Sequence, residues 1–174
     1  MKIEYFKLIF LILFCFSINS YLYAQDKNLF ATVEKDDYKI VADTVKYKSF
    51  LKKYFYPNEE DVSFDKISIK KQYTVGERKE LYYFILAESF KSNIRLASWL
   101  EKEDSKLYRI TEADLNNKNA GITVSYLACQ GQSSCTPNVS IIEGEKKYWG
   151  CSDRADLACG FMEDCKASTM IISE

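Results

Sequence analysis

The chain has 174 residues, 47% hydrophobic and 28% charged, with 24 Lys and Arg against 25 Asp and Glu. A near-neutral balance with no basic stripe argues against a nucleic-acid binder, and the apolar content argues against disorder. The complete lack of histidine removes Ser-His-Asp and Cys-His catalysis, histidine acid–base chemistry and the commonest zinc, copper and haem ligand.

Residues 1–24 have the layout of a cleavable signal peptide: a head carrying Lys2 and Lys7, an apolar run over 8–18 broken only by Ser17, and a more polar end at Ala24. The run is too short for the roughly 20 residues that span a bilayer. A lipid-attachment role for Cys15 is disfavoured, because Phe14 occupies the position where a small residue is wanted. Removing two lysines and one glutamate with the leader keeps the remainder slightly acidic. Residues 25–174 are then read as one exported α+β domain, periplasmic or extracellular, with no transmembrane helix.

The spacing predicts a helix over residues 29–56. Tyr47, Phe50, Leu51 and Tyr54 share one face, Val41 and Val45 extend it backward, and Pro57 stops it. From residue 65 the period becomes two, with Ile67, Ile69, Tyr73 and Val75 alternating with polar residues, as in a half-buried strand. A turn over 76–79 follows. Residues 81–87 are apolar or aromatic throughout, which reads as a central strand buried on both faces. Further strands are predicted at 94–100 and 106–110, joined by a polar turn at 101–105. A loop spans 111–119, and strands return at 121–129, 139–142, 147–151 and 168–172. Short connections favour antiparallel neighbours. The fold class is therefore α+β, an N-terminal helix packed on an antiparallel β-meander with a disulfide-linked C-terminal end.

Five cysteines follow the leader: Cys129, Cys135, Cys151, Cys159 and Cys165. They contain no Cys-x-x-Cys, which speaks against a zinc ribbon and a thioredoxin-type redox site. Structural disulfides are expected within 129–174. Cys129 is paired with Cys151, both at predicted strand ends, and Cys159 with Cys165 across a short loop. Cys135 is left free or joins a second chain in a disulfide-linked dimer. The tail from Cys129 through Cys165, with its Cys-Gln-Gly-Gln-Ser-Ser-Cys-Thr-Pro and Tyr-Trp-Gly-Cys-Ser stretches, resembles the cysteine-rich ends of uncharacterised exported bacterial proteins. The resemblance covers about a quarter of the chain. It implies export and disulfides, and it implies no activity.

Among candidate site residues, Trp149, Tyr148 and Trp99 offer aromatic faces for a glycan or peptide, against the alternative of core packing. Trp149 and Tyr148, with Gln130, Asp153 and Asp156, outline a binding surface on the disulfide-pinned edge. Glu59, Glu60, Asp61 and Asp65 lack the spacing and the glycine of a calcium loop and read as a solvated turn. Asn138-Val139-Ser140 fits a glycosylation sequon. No catalytic residue, cofactor or metal is indicated. The expected function is a non-catalytic binding or interaction module of the bacterial envelope or exterior, with a protein or glycan partner and no nucleic acid. One alternative is a carrier of a small hydrophobic ligand, marked by an apolar cavity between helix and sheet. Another is a carboxylate-based hydrolase, marked by two acids converging in a cleft.

Overall fold

A computed structural model describes residues 28–35, 37–75, 79–110, 126–131, 135–142, 146–152 and 165–170. The leader, the turn over 76–78 and the loop over 111–119 fall outside the described residues, as do Asp153, Asp156 and Cys159.

The described chain is mostly antiparallel β-structure with one short helix, which corrects the balance expected of an α+β meander. The correction begins at the N-terminus. In place of one helix over 29–56 there is a hairpin, β1 (Leu29–Glu34) and β2 (Asp37–Ile40), followed by helix α1 (Thr44–Phe55). Thr32, Val33, Tyr38 and Ile40 are β-branched or aromatic and suit a pleated surface. Lys35 supplies the left-handed backbone of the tight loop, at φ 54°. The helical period is real only from residue 44 onward. Asp43 starts it, its carboxylate accepting hydrogen bonds from the backbone N–H groups of Val45 (3.0 Å) and Lys46 (3.1 Å). Val41 and Val45, expected on the buried stripe, are exposed. The helix buries Tyr47 and Leu51, carries Lys52 and Lys53 in its last turn, and ends at Tyr56 before Pro57.

The expected strands follow: β3 (Lys66–Tyr73), β4 (Leu81–Ser89), β5 (Ile94–Glu103) and β6 (Lys106–Arg109). Each pairs antiparallel with the next. The turn predicted over 101–105 shrinks to Asp104-Ser105, because β5 runs on to Glu103 and pairs it with Lys106. The strands β7 (Tyr126–Gly131) and β10 (Cys165–Met170) add to the same sheet, while β8 (Thr136–Ile142) and β9 (Lys146–Ser152) form a separate hairpin.

The strand β5 departs from a simple meander. One edge pairs with β4, and the other is divided between β7, against residues 94–98, and β6, against residues 100–103. The sheet curls until it is nearly closed. Just beyond β3, the Val75 N–H donates to the Val139 carbonyl of β8 at 2.7 Å.

Strand alternation gives this sheet two buried faces. Ile85, Ala87, Ile94, Leu96 and Ala128 pack with Phe30, Tyr47 and Leu51 beneath the helix and first hairpin. Tyr82, Phe84, Leu86, Ala97, Trp99, Leu127 and Cys129 point the other way, toward Val139, Trp149 and Cys151 of the β8–β9 hairpin. The double-faced burial of β4 agrees with its unbroken apolar sequence.

Two disulfides fasten the hairpin. Cys129 of β7 is bonded to Cys151 of β9, as its strand-end position predicts. Cys135 is bonded to Cys165 of β10, which corrects both the expected Cys159–Cys165 bridge and the expected free Cys135. The reason is topological: β10 returns antiparallel to β7 and sets Cys165 opposite Gly131, close to where the chain enters β8. With sequence separations of 22 and 30, each bridge contributes about 3–4 kcal/mol in the chain-entropy picture. An ion pair from Lys147 to Glu80 at 2.8 Å ties the hairpin to the start of β4.

Candidate functional site

The helix and the first hairpin do not close completely on each other. Between them lies an open groove of about 480 Å³. Its floor is Phe30 of β1 and Tyr47 of the helix, both buried, with ring centroids 5.2 Å apart edge to face. Its helical wall follows from spacing: Tyr47, Phe50 and Tyr54 recur on one face at i, i+3 and i+7. Their rings run in series, Tyr47 stacked on Phe50 at 6.2 Å and Phe50 against Tyr54 at 4.7 Å. Tyr54 forms the accessible end of the ladder and is 46% exposed.

Polar groups stand at the rim. Arg109, the last residue of β6, holds its guanidinium 5.8 Å from the Tyr47 ring centroid, a cation–π arrangement. Lys46 lies in the first turn of the helix, 3.7 Å from the Asp43 carboxylate. Asp43 is the single carboxylate among the described residues that line the groove. Hydrogen bonding from the Lys46 backbone N–H is the main cause holding its carboxyl below the usual range. It is committed to capping the helix. The arrangement offers a flat apolar wall and a cation, which suits a ring or aliphatic body carrying a negative group.

The residues singled out from sequence are distributed otherwise. Trp149 is buried, 4.4 Å from the Trp99 ring and 5.5 Å from the Phe84 ring by centroid, so it packs the core. Tyr148, its neighbour on β9, takes the opposite face and is exposed, and Gln130 is exposed on β7. Asn138 and Ser140 of the sequon are buried at 5% and 4% exposure. The folded chain therefore does not present that asparagine as a surface acceptor. Glu59, Glu60, Asp61 and Asp65 are exposed, as a solvated turn requires. Asp65 accepts a hydrogen bond from the Phe90 N–H at 2.8 Å, and Asp61 pairs with Lys91.

Tyr47, Phe50 and Tyr54 appeared in the sequence as a helical stripe. Their second role as a groove wall was not readable there, because Phe30 and Arg109 come from distant parts of the chain. No helix among the described residues is long and apolar enough to cross a membrane. Comparison with known proteins finds no matching family model, no matching curated protein and no matching solved structure.

Proposed function

We propose that this chain is an exported, non-catalytic binding module and that the groove between helix α1 and the first hairpin receives its ligand. The observation that carries the reading is the aromatic ladder Tyr47–Phe50–Tyr54 with Arg109 beside it, in a groove of about 480 Å³. That volume falls in the usual range of small-molecule sites, which combine a mostly apolar lining with a few placed polar groups. Two intramolecular disulfides are typical of exported proteins, in keeping with the signal-like leader. The ligand class is a small molecule with a flat apolar body and an anionic group. The module thus joins the binding and carrier readings of the sequence.

The test uses 8-anilinonaphthalene-1-sulfonate, a fused aromatic bearing a sulfonate, titrated into the oxidised protein. Saturable fluorescence enhancement is expected from wild type, weakened at least severalfold by Tyr54→Ser and by Arg109→Gln. Both variants change rim residues, and circular dichroism reports whether the fold persists. Enhancement that is absent, or equal in all three proteins, would remove the groove as the binding site.

A further inference from the structure

We infer that the two disulfides form a single thiol–disulfide exchange site, at which electrons from an external dithiol enter through Cys165 and pass through Cys135 to the buried bridge. The inference does not depend on the groove. It begins with a convergence of sulfurs. The Sγ atoms of Cys129, Cys135 and Cys151 all lie within 4.8 Å of one another, although they belong to two different bridges. One sulfur of the outer bridge is therefore poised beside both sulfurs of the inner one, at a distance that side-chain rotation can close.

Exposure sets the direction. Cys129, Cys135 and Cys151 are 0%, 1% and 6% exposed. Cys165 is half-buried at the start of β10, a strand that among the described residues pairs with β7 alone. An external thiolate therefore reaches the outer bridge at Cys165 far more readily than it reaches the inner bridge. Backbone placement favours the next step. Arg95 lies on the same face of β5 as Ala97 and Trp99 and is in register with Cys129. Its guanidinium donates to the Cys135 carbonyl at 3.0 Å. That bond holds the backbone of Cys135 in place beside the inner bridge.

The chemistry balances. A thiolate of the dithiol attacks Cys165 Sγ; the Cys135–Cys165 bond breaks and its electron pair leaves on Cys135. The second thiol of the reagent attacks the mixed disulfide and closes the reagent's own disulfide. Cys165 is released as a thiolate and takes up a proton. The Cys135 thiolate then attacks Cys129 or Cys151. A new bond forms to Cys135 as the Cys129–Cys151 bond breaks, and the displaced sulfur leaves as a thiolate and is protonated. Two electrons and two protons have moved from reagent to protein. The protein retains one bridge, now containing Cys135, and gains thiols at Cys165 and at one inner cysteine.

The experiment is partial reduction of the oxidised protein. Any thiol free before reduction is first blocked by N-ethylmaleimide. A limiting amount of dithiothreitol follows, then acid quenching, labelling of new thiols with a second alkylating reagent and peptide mass mapping. The expected labelled pair is Cys165 with Cys129 or Cys151, with Cys135 still bridged. Label on Cys135 with Cys165, or on Cys129 with Cys151, would overturn the transfer.

A double variant, Cys135→Ala with Cys165→Ala, gives an independent reading. Its inner bridge is expected to resist a dithiol concentration that opens it in wild type. Reduction at the wild-type rate, with a native near-ultraviolet circular dichroism spectrum, would sink the route through Cys135. Arg95→Gln is expected to slow the transfer on the order of fivefold, through the lost hold on the Cys135 backbone. An unchanged rate overturns the role given to the guanidinium.

Discussion

The indole of Trp99, on β5, packs against that of Trp149, on β9, with ring centroids 4.4 Å apart. One ring belongs to the main sheet and the other to the separate hairpin. With Tyr82 and Phe84 edge-on to Trp149, they form the apolar seam between the two sheets. Trp149→Ala is expected to cost about 3–5 kcal/mol, because it removes a large buried ring and leaves a cavity. Tyr148→Ala, one residue away on the exposed face, is expected to cost less than about 1 kcal/mol. Urea unfolding of the two variants checks the contrast. Equal losses would contradict the inward orientation of Trp149.

Replacing Cys129 and Cys151 together by alanine is expected to lower unfolding stability by about 3–4 kcal/mol. The loss should appear mainly as freedom of the β8–β9 hairpin, seen as faster amide exchange there than in β4 and β5. Uniform exchange across both sheets would contradict this. A covalent dimer of the chain after residue 24, if it forms, has to run through Cys159, since the other four cysteines are paired within the chain. Non-reducing electrophoresis of Cys159→Ser is expected to show monomer only.

The Asp43 carboxyl is held below its usual range by the helix N–H groups it accepts from, chiefly Lys46. A folded-state value below the unfolded one contributes stability that is fully present above the unfolded value, near 3.9. That contribution is lost as pH falls through the folded value. Wild type is therefore expected to lose melting temperature more steeply than Asp43→Ala as pH drops below about 4. Calorimetry across that window checks it. Parallel curves would show that the cap carries no linked proton.

At the alkaline end one linked group is Tyr82. Burial pushes its phenol above the ordinary range, and its hydroxyl donates to Gln72 Oε1 at 2.8 Å. Burial also raises Tyr56, to about 12. A raised folded value contributes stability that is present below the unfolded value, near 10, and lost as pH rises through the folded one. Tyr82→Phe is expected to lose less stability than wild type above about pH 10, while giving up the Gln72 hydrogen bond at neutral pH. Urea midpoints at pH 7 and at alkaline pH measure both effects. An equal alkaline loss in both proteins would show that Tyr82 is not a linked group.

Much of the sheet was legible because strand alternation is a local property. Tyr82, Phe84 and Leu86 alternate with Tyr83, Ile85 and Ala87, and an unbroken apolar run of strand length points to cover on both faces. The error at the N-terminus is equally local. Val41 and Val45 prolong the Tyr47–Phe50–Tyr54 stripe by chance, and periodicity alone does not register that Asp43 begins a new element. The Cys135–Cys165 bridge was illegible for a different reason. Its partners meet because β10 returns antiparallel to β7, and pairing across 30 positions leaves no trace in spacing. The groove is of the same kind, assembled from β1, the helix and the end of β6.

The divided edge of β5 also bears on the order of events during folding. Its partners β4 and β6 are its immediate neighbours in the chain, reached by tight turns, so their pairing closes short loops and is kinetically cheap. Strand β7 must cross the segment over 111–125 to reach the same edge, and the hairpin and β10 follow it. The first half of the domain can therefore assemble before any cysteine is in place. Oxidation then closes over a surface already formed, so the chain is expected to acquire its β3–β6 protection in reducing conditions and its Trp99–Trp149 contact only after the bridges close.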